Sequence, residues 1–428
     1  MKTVHRPEEL DLTSVIRPGD GILWGQATAE PLTLTEALVA QRARLGGVSA
    51  FLGVNFGGVT LPEHADHIAF SAYCGLGANR ALSDAGVLDI YPLPYSQLGA
   101  AIRAGTLKSE VVMVQVSPPN ARGEYSLGLS TEYLIPALAQ ARAVIAEVNA
   151  QVPWTHTETL LREEDIDLLV HSSRAPVPPP YGAPGETERR IAANAAPFVP
   201  DGGVLEFGVG ALPIAVLEAL GGHRDLGVHS GIVCETVMDL VEKGVITNAR
   251  KNIDAGVSVG GVLFGSARFH RWAHENPALR LRSSDYTHAG RVLGQIDRFI
   301  AINSAVEVDL TGQINAEVVV DNKGRASYVG AIGGALDFIR GANQSEGGCS
   351  IIALPASIGT KVSRIVSRLS GPVATPRSEA GVFVTEWGAA DLRGLPISKR
   401  VPRMIAIANP AFREQLQREA HEQGLLRA

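Results

Sequence analysis

Cysteine is scarce in this chain. Its 428 residues hold three, Cys74, Cys234 and Cys349, far apart in the sequence. An odd count at such separations gives neither a disulfide framework nor the spacing of a zinc site. Unpaired thiols suit a reducing compartment, so the expectation is a cytoplasmic protein with no structural metal. Charge of one sign is missing too. Lys and Arg number 38 against 44 Asp and Glu, a net charge of -6, and no five or six like charges run together. That leaves no basic stripe for nucleic acid. No stretch of about 18 consecutive apolar residues exists, so no membrane-spanning helix is expected. The opening MKTVHRPEELDL has no apolar segment of the secretory kind. What remains is a globular balance, 45% hydrophobic and 19% charged, on a length that calls for two or three domains.

The sharpest change of character is the proline-rich stretch from Ser172 to Arg190, with Pro176, Pro178, Pro179, Pro180 and Pro184. Clustered prolines favour extended backbone without hydrogen bonds, so this reads as a linker. It follows a strand pattern at Ile166–Val170 and precedes a helical one from Thr187. The predicted domains are residues 1–185 and 186–428, the second carrying most of the active site. In the first, VSAFLG (48–53) and VVMVQV (111–116) read as buried strands. TLTEALVAQRA (33–43) reads as a helix with Thr33 and Glu36 spaced as a capping box. Tyr133–Val148 reads as a second helix, capped by Ser130 or Thr131. In the second, GGVLEFG, LGVH, VSVGGVLFG, FIAIN, SIIALP, GVFVTE and MIAIAN are strand candidates. Apolar runs alternating with helices point to an α/β fold with mainly parallel sheets.

Three segments could carry chemistry. In VLEFGVGALPIAV a strand ends at Gly208, Gly210 follows and a helix begins near Pro213, so free N–H groups there could hold an anion or a polarised carbonyl. A dinucleotide fingerprint would need a third Gly where Pro213 stands. In GVHSGIVCETVMDLVEKG (227–244) a strand ends near His229, a turn follows at Ser230–Gly231, and a helix runs to Gly244 as its C′ residue. Sites form beyond the carboxyl ends of parallel strands, which is where His229, Ser230, Cys234 and Glu235 fall. Each has a plainer use: Glu235 as a helix-start charge, Cys234 as a small buried hydrophobe, Ser230 as a cap. In YVGAIGGALDFIRGA, Gly330, Gly333 and Gly334 permit close backbone approach, with Asp337 near a helix start and Arg340 available to an anion.

Taken in order, FGVGALPIAV, GVHSGIVCETVMDLVEKGVITNA, AINSAVEVDLTGQINAE, GGALDFIRGA, VTEWGAADLRG and IANPAFREQL resemble the acetyl-CoA hydrolase/transferase family, which includes 4-hydroxybutyrate and succinate:acetate coenzyme A transferases. VSPPNARGEYSLG and EVNAQVP extend the resemblance to nearly the whole chain. It implies two tandem coenzyme A transferase-type domains of the NagB/RpiA-like kind. It also implies acyl-CoA and a small carboxylate as substrates, with no tightly bound cofactor; a homodimer is the general default for the assembly. In the family's covalent route a glutamate attacks the thioester, passes through an anhydride, and becomes a glutamyl thioester of coenzyme A. The family motif reads His-Thr-Glu-Met; here it is His229-Ser230-Gly231-Ile232, with Gly231 at the glutamate's place. In SSDYTHAG, His288 replaces a common Asn. Three readings stay open. One is a transferase using Glu235, the nearest acid, although a helix residue four positions on lies about 5–6 Å further along. Another is a hydrolase in which Glu235 or His288 activates water, His having an ordinary pKa near 6.5. The last is a silent acyl-CoA-binding protein. The candidate site is therefore Ser230, Glu235 and His288 for chemistry, with Gly208, Gly210, Gly330, Gly333 and Gly334 for coenzyme A. Tyr95, Trp154 and Tyr286 could line a pocket, with core packing the first expectation for each.

Overall fold

A computed structural model describes residues 2–4, 6–321 and 323–426. The chain forms two compact units. One comprises Met1–Pro180, Ser230–Met238 and Val257–Ala289; the other comprises Tyr181–His229, Asp239–Gly256 and Gly290–Ala428. Both are α/β with mainly parallel sheets, as the pattern of apolar runs implies.

The main sheet of the first unit has eight strands: β1 (Lys2–Val4), β2 (Gly21–Trp24), β3 (Val48–Leu52), β4 (Ile68–Ala72), β5 (Leu88–Ile90), β6 (Val111–Val116), β7 (Ala143–Asn149) and β8 (Leu168–Ser172). Their order is β1-β8-β7-β6-β2-β3-β4-β5, every neighbouring pair parallel. Every residue of β6 and β7 is buried, as a central strand covered on both faces requires. From β2 the sheet grows one way through β3, β4 and β5; from β6 it grows the other way through β7 and β8. The loops leaving the carboxyl ends of β2 and β6 therefore part, and such a reversal is where α/β sheets place ligands. Two later pieces of chain complete this unit. Ile232–Cys234 pairs with Val262–Phe264, and Ser258–Gly260 with Leu279–Leu281, both in parallel. Single bridges tie Ser130 to Val262, Glu132 to Ser283 and Thr157 to Leu281.

The second unit's sheet runs in the order Gly227–Val228, Val204–Phe207, Phe299–Asn303, Cys349–Ala353, Val382–Thr385, Gly388–Asp391. All pairs are parallel except the last. Its reversal lies between Val204–Phe207 and Phe299–Asn303. The helix Ala335–Gln344 packs on Phe299–Asn303 and Cys349–Ala353, burying Phe338, Ile339 and Ala342. No helix among the described residues is long and apolar enough to cross a membrane.

Five local expectations are corrected. The segment Tyr133–Val148 is not one helix: a short helix, Leu134–Leu138, is followed by β7. A fully buried strand loses its alternation, and AVIAEVN then mimics one face of a helix. Ser130 and Thr131 do not cap that helix; Thr131 donates instead to the carbonyls of Gly261 and Arg282. MIAIAN is not a strand either. Met404 closes the helix Ile397–Ala406, whose Ile397, Val401 and Met404 follow helical spacing, the last two buried. VSVGGVLFG is two strands separated by Gly261, not one. Finally, the helix Leu32–Gln41 starts one residue before Thr33, and no capping box forms. The Thr33 amide and hydroxyl both donate to the buried Glu147, at 2.9 and 2.8 Å, while Glu36 pairs with Arg174.

Candidate active site

The reversal of the first sheet is lined by polar side chains from several strand ends. Gln26 follows β2. Its amide nitrogen donates to the Tyr95 hydroxyl at 2.9 Å and to Oε2 of Glu132. Its amide oxygen accepts from the Tyr73 hydroxyl at 2.8 Å and the Val54 N–H at 2.9 Å. Two donors and two acceptors are all that a primary amide offers, so Gln26 is saturated and its orientation fixed. Gly53 makes room: a Cβ there would lie 2.4 Å from both the Gln26 Cβ and the Tyr133 hydroxyl. Glu132 is 3% exposed and takes a second hydrogen bond on Oε2 from Ser130, at 3.3 Å. Burial pushes its carboxyl up to about 7, against the hydrogen bonds from Gln26, Tyr95 and Ser130 that pull it down. Glu30 is likewise pushed up to about 7 by burial; it accepts from the Gly57 N–H at 3.0 Å. Burial also keeps the Tyr73, Tyr95 and Tyr133 phenols protonated.

The residues expected to carry chemistry distribute unevenly around this network. His288 ends the helix Ser284–Thr287, shares a 2.8 Å hydrogen bond with the Thr287 hydroxyl, and sets its ring 4.6 Å from that of Tyr95. It thus joins the cluster through Tyr95. Ser230 is fully buried, and its hydroxyl accepts from the Ile232 N–H at 3.3 Å across the Gly231 turn. Gly231's carbonyl accepts from the N–H groups of both Gly261 and Val262, each at 3.0 Å. Glu235 opens the helix Glu235–Glu242, and its carboxylate accepts from Ser266: the N–H at 3.0 Å and the hydroxyl at 2.9 Å. Arg268 stands 3.7 Å from it. The Cys234 thiol is pushed up to about 11 by burial, so it stays protonated at neutral pH. Arg282 lies over the Tyr286 ring at 3.8 Å. Trp154 borders a cavity of about 800 Å3 beyond the ends of β6 and β7, lined also by Pro118, Ser266, His270 and His274.

In the second unit, Gly208 and Gly210 follow the strand Val204–Phe207 at the sheet's reversal. Gly210 has φ +118 and precedes the helix Ala211–Ala219. The Glu206 carboxyl beside this turn is buried, raised far above its ordinary pKa by desolvation, and accepts from the Asn303 amide at 2.7 Å. His229 is buried, with its N–H on the Leu205 carbonyl at 3.0 Å. Gly330, Gly333 and Gly334 lie between the hairpin strand Ala326–Tyr328 and the helix Ala335–Gln344. A Cβ at Gly330 would fall 2.1 Å from the Ala316 carbonyl oxygen, so that close approach is to the protein's own backbone. Gly333 has φ +52. Asp337 is the third residue of the helix, and Arg340 pairs with Glu379 at 3.3 Å.

The sequence model of the acetyl-CoA hydrolase/transferase N-terminal domain matches residues 1–178, and that of the C-terminal domain matches 265–420. The chain belongs to the acetyl-CoA hydrolase/transferase family. As such it is an enzyme with coenzyme A thioesters in its chemistry. One member, the 4-hydroxybutyrate coenzyme A transferase of Clostridium kluyveri, is 34% identical over 403 residues, 93% of each chain. The acetyl-CoA hydrolase of Yarrowia lipolytica is 29% identical over 220 residues, 50% of this chain and 39% of that one. Among solved structures, RipA from Yersinia pestis superposes with a TM-score of 0.91 at 31% identity, covering 99% of this chain and 98% of that one.

The sequence reading passed over Glu132 and Gln26. A signal was present for Glu132: between Glu124 and Arg142 it is the only charged residue. A lone acid in an apolar stretch is either paired internally or functional.

Proposed function

We propose that this family member is an acyl-CoA:carboxylate coenzyme A transferase acting on a small acyl-CoA such as acetyl-CoA, with a small carboxylate as acceptor, in acetate metabolism. One observation carries the reading. The transferase-named relative aligns along 93% of both chains at 34% identity, whereas the hydrolase-named relatives from Yarrowia lipolytica and Candida albicans align with 50% and 76% of this chain and 39% and 62% of their own, at 29% and 26% identity. Coenzyme A enters as substrate, with no tightly bound cofactor. The backbone of the Gly208–Gly210 turn is proposed to take part in its binding at the start of the helix Ala211–Ala219, where N–H groups stabilise negative charge, although the Gly208 N–H itself is taken by the Ile302 carbonyl at 3.1 Å. The glycines at 333 and 334 are proposed to line the same ligand through bare backbone, while Gly330 packs against the Ala316 carbonyl and supports that turn. A cytoplasmic homodimer is the proposed working form.

A second reading, acyl-CoA hydrolysis, is favoured by Gly231, which brings no carboxylate to the turn after His229. Incubation with acetyl-CoA, with and without succinate, propionate or butyrate, separates the two. Transfer predicts a new acyl-CoA only when a carboxylate is present. Free coenzyme A released at the same rate without acceptor would replace transfer by hydrolysis.

A further inference from the structure

The geometry points to Glu132 as the carboxylate that attacks the thioester and carries coenzyme A, a role that rests on the transferase reading above. The argument starts from its cover. On the Gly231 side, what packs over the Glu132 side chain is backbone without side chains. A Cβ built on Gly261 would lie 2.6 Å from the Glu132 Cγ, 3.1 Å from its Oε1 and 3.0 Å from the Gly231 carbonyl oxygen. The Oε1 edge of the carboxyl therefore lies one glycine away from the turn at Gly231, which is itself partly exposed. Gln26 and Ser130 both hold Oε2. Oε2 is thus anchored by two donors, Tyr95 adds a third hydrogen bond to the carboxyl, and Oε1 lies beside the glycines. A nucleophile needs this asymmetry: a fixed orientation with one lone-pair edge turned toward the substrate.

The location is independent support. Gln26 leaves β2, and Ser130 and Glu132 lie on the connection that follows β6, the two strands between which the sheet reverses. The chemistry also fits a desolvated carboxylate. Water would screen the group and hydrolyse the intermediates, and burial prevents both. Tyr95 brings a phenol to the Glu132 carboxyl, and the His288 ring lies tilted against that of Tyr95, 4.6 Å between centroids.

The step balances without a proton or a redox partner. The ionised Glu132 attacks the thioester carbonyl carbon, the C–S bond breaks, and its electron pair leaves on the coenzyme A thiolate. That gives a mixed acyl–glutamyl anhydride. The thiolate then attacks the glutamyl carbonyl carbon, the bond to the bridging oxygen breaks, and the acyl group leaves as a carboxylate. Glu132 is left as the coenzyme A thioester, and the acceptor carboxylate runs the same two steps in reverse.

The test is to load the full chain with acetyl-CoA in the absence of acceptor, reduce with borohydride, and read the modified peptide by mass spectrometry. The expected result is reduction of Glu132 to the alcohol, none in Glu132→Gln, and a loss of exchange of about a thousandfold or more in that variant. Glu132→Asp keeps the charge on a shorter arm and should fall between the two. Labelling of Glu235, Glu30 or any other acid overturns the proposal, as does exchange within tenfold of the parent in a folded Glu132→Gln. If that variant does not fold, the labelled position in the parent decides alone. Exchange by the parent with Glu132 unlabelled removes this inference and leaves the transferase reading standing. A parent that exchanges with no acyl-CoA removes both.

Discussion

The two sheets reverse direction in the same way but furnish the reversal differently. In the first unit the polarity is carried by side chains: Gln26, Tyr73, Tyr95, Ser130 and Glu132, each held by another. In the second it is carried by backbone at Gly208 and Gly210, and the nearby acid, Glu206, is held by Asn303. Side chains with tuned ionisation suit bond making, and bare backbone suits holding a ligand. The contrast is one of kind: ionisable side chains mark the first reversal and glycine backbone the second.

Gln26→Leu should break the contrast most severely. It leaves Glu132, Tyr73, Tyr95 and the Val54 N–H each short of a partner, at a cost of about 1–3 kcal/mol for each group stranded. The expected loss is about 3 kcal/mol or more, read as a lower urea midpoint, with exchange falling alongside. A loss under about 1 kcal/mol would mean that the network is rewired by water.

Stability should also depend on pH through the buried acids. Glu132 and Glu30 are both raised from 4.5 to about 7. Between those values the folded chain keeps a proton that the unfolded chain has released. Their contribution is therefore whole below about pH 4.5, lost as pH rises to about 7, and flat above. Each accounts for up to about 3 kcal/mol. Glu132→Gln should remove one share of this slope in denaturation series from pH 5 to pH 8. The same ionisation should make exchange rise with pH through about 7. The Tyr73, Tyr95 and Tyr133 phenols face the group and stay neutral across that range. An unchanged slope in Glu132→Gln would place the titration elsewhere.

Gly261→Ala drives a methyl group into the Glu132 Cγ, which Gln26 prevents from retreating. Overpacking of this kind costs about 1–3 kcal/mol, visible as a lower Tm. Glu206→Gln should do least. The group is already a neutral acid accepting one bond from Asn303, and an amide oxygen accepts the same bond. Exchange within threefold of the parent is expected; a loss as large as that of Glu132→Gln would erase the division between the two reversals.

Much of the scaffold was legible because buried strands advertise themselves. VSAFLG, VVMVQV and FIAIN are runs too short for helices and too apolar for loops, and they form β3, β6 and Phe299–Asn303. β7 was not legible as a strand, because Ala143–Asn149 is buried on both faces and carries Glu147 where a helix would show its polar side. The turn at Gly231 was legible in composition, since a glycine there removes a side chain whatever the fold. The network around Glu132 was not. Gln26 and Glu132 are 106 residues apart and meet only because β2 and β6 are neighbours in the sheet. Spacing along a chain says nothing about which strand ends lie side by side.

The interleaving of the two units has a consequence for how the chain comes into being. The first unit is not contiguous: Ser230–Met238 and Val257–Ala289 belong to it, and Val262 and Ser283 supply the bridges to Ser130 and Glu132. During synthesis from the amino end, the eight strands of its sheet can pair once Ser172 has emerged, but the layer over Glu132 cannot be laid down until Ala289 has. For more than a hundred residues of elongation a nascent chain would expose Gln26, Tyr95 and Glu132 to water. A fragment ending in the proline-rich segment should behave the same way, as a sheet with an unfinished face and a need for chaperones. The turn at Gly231 thus arrives only after the whole of the first sheet.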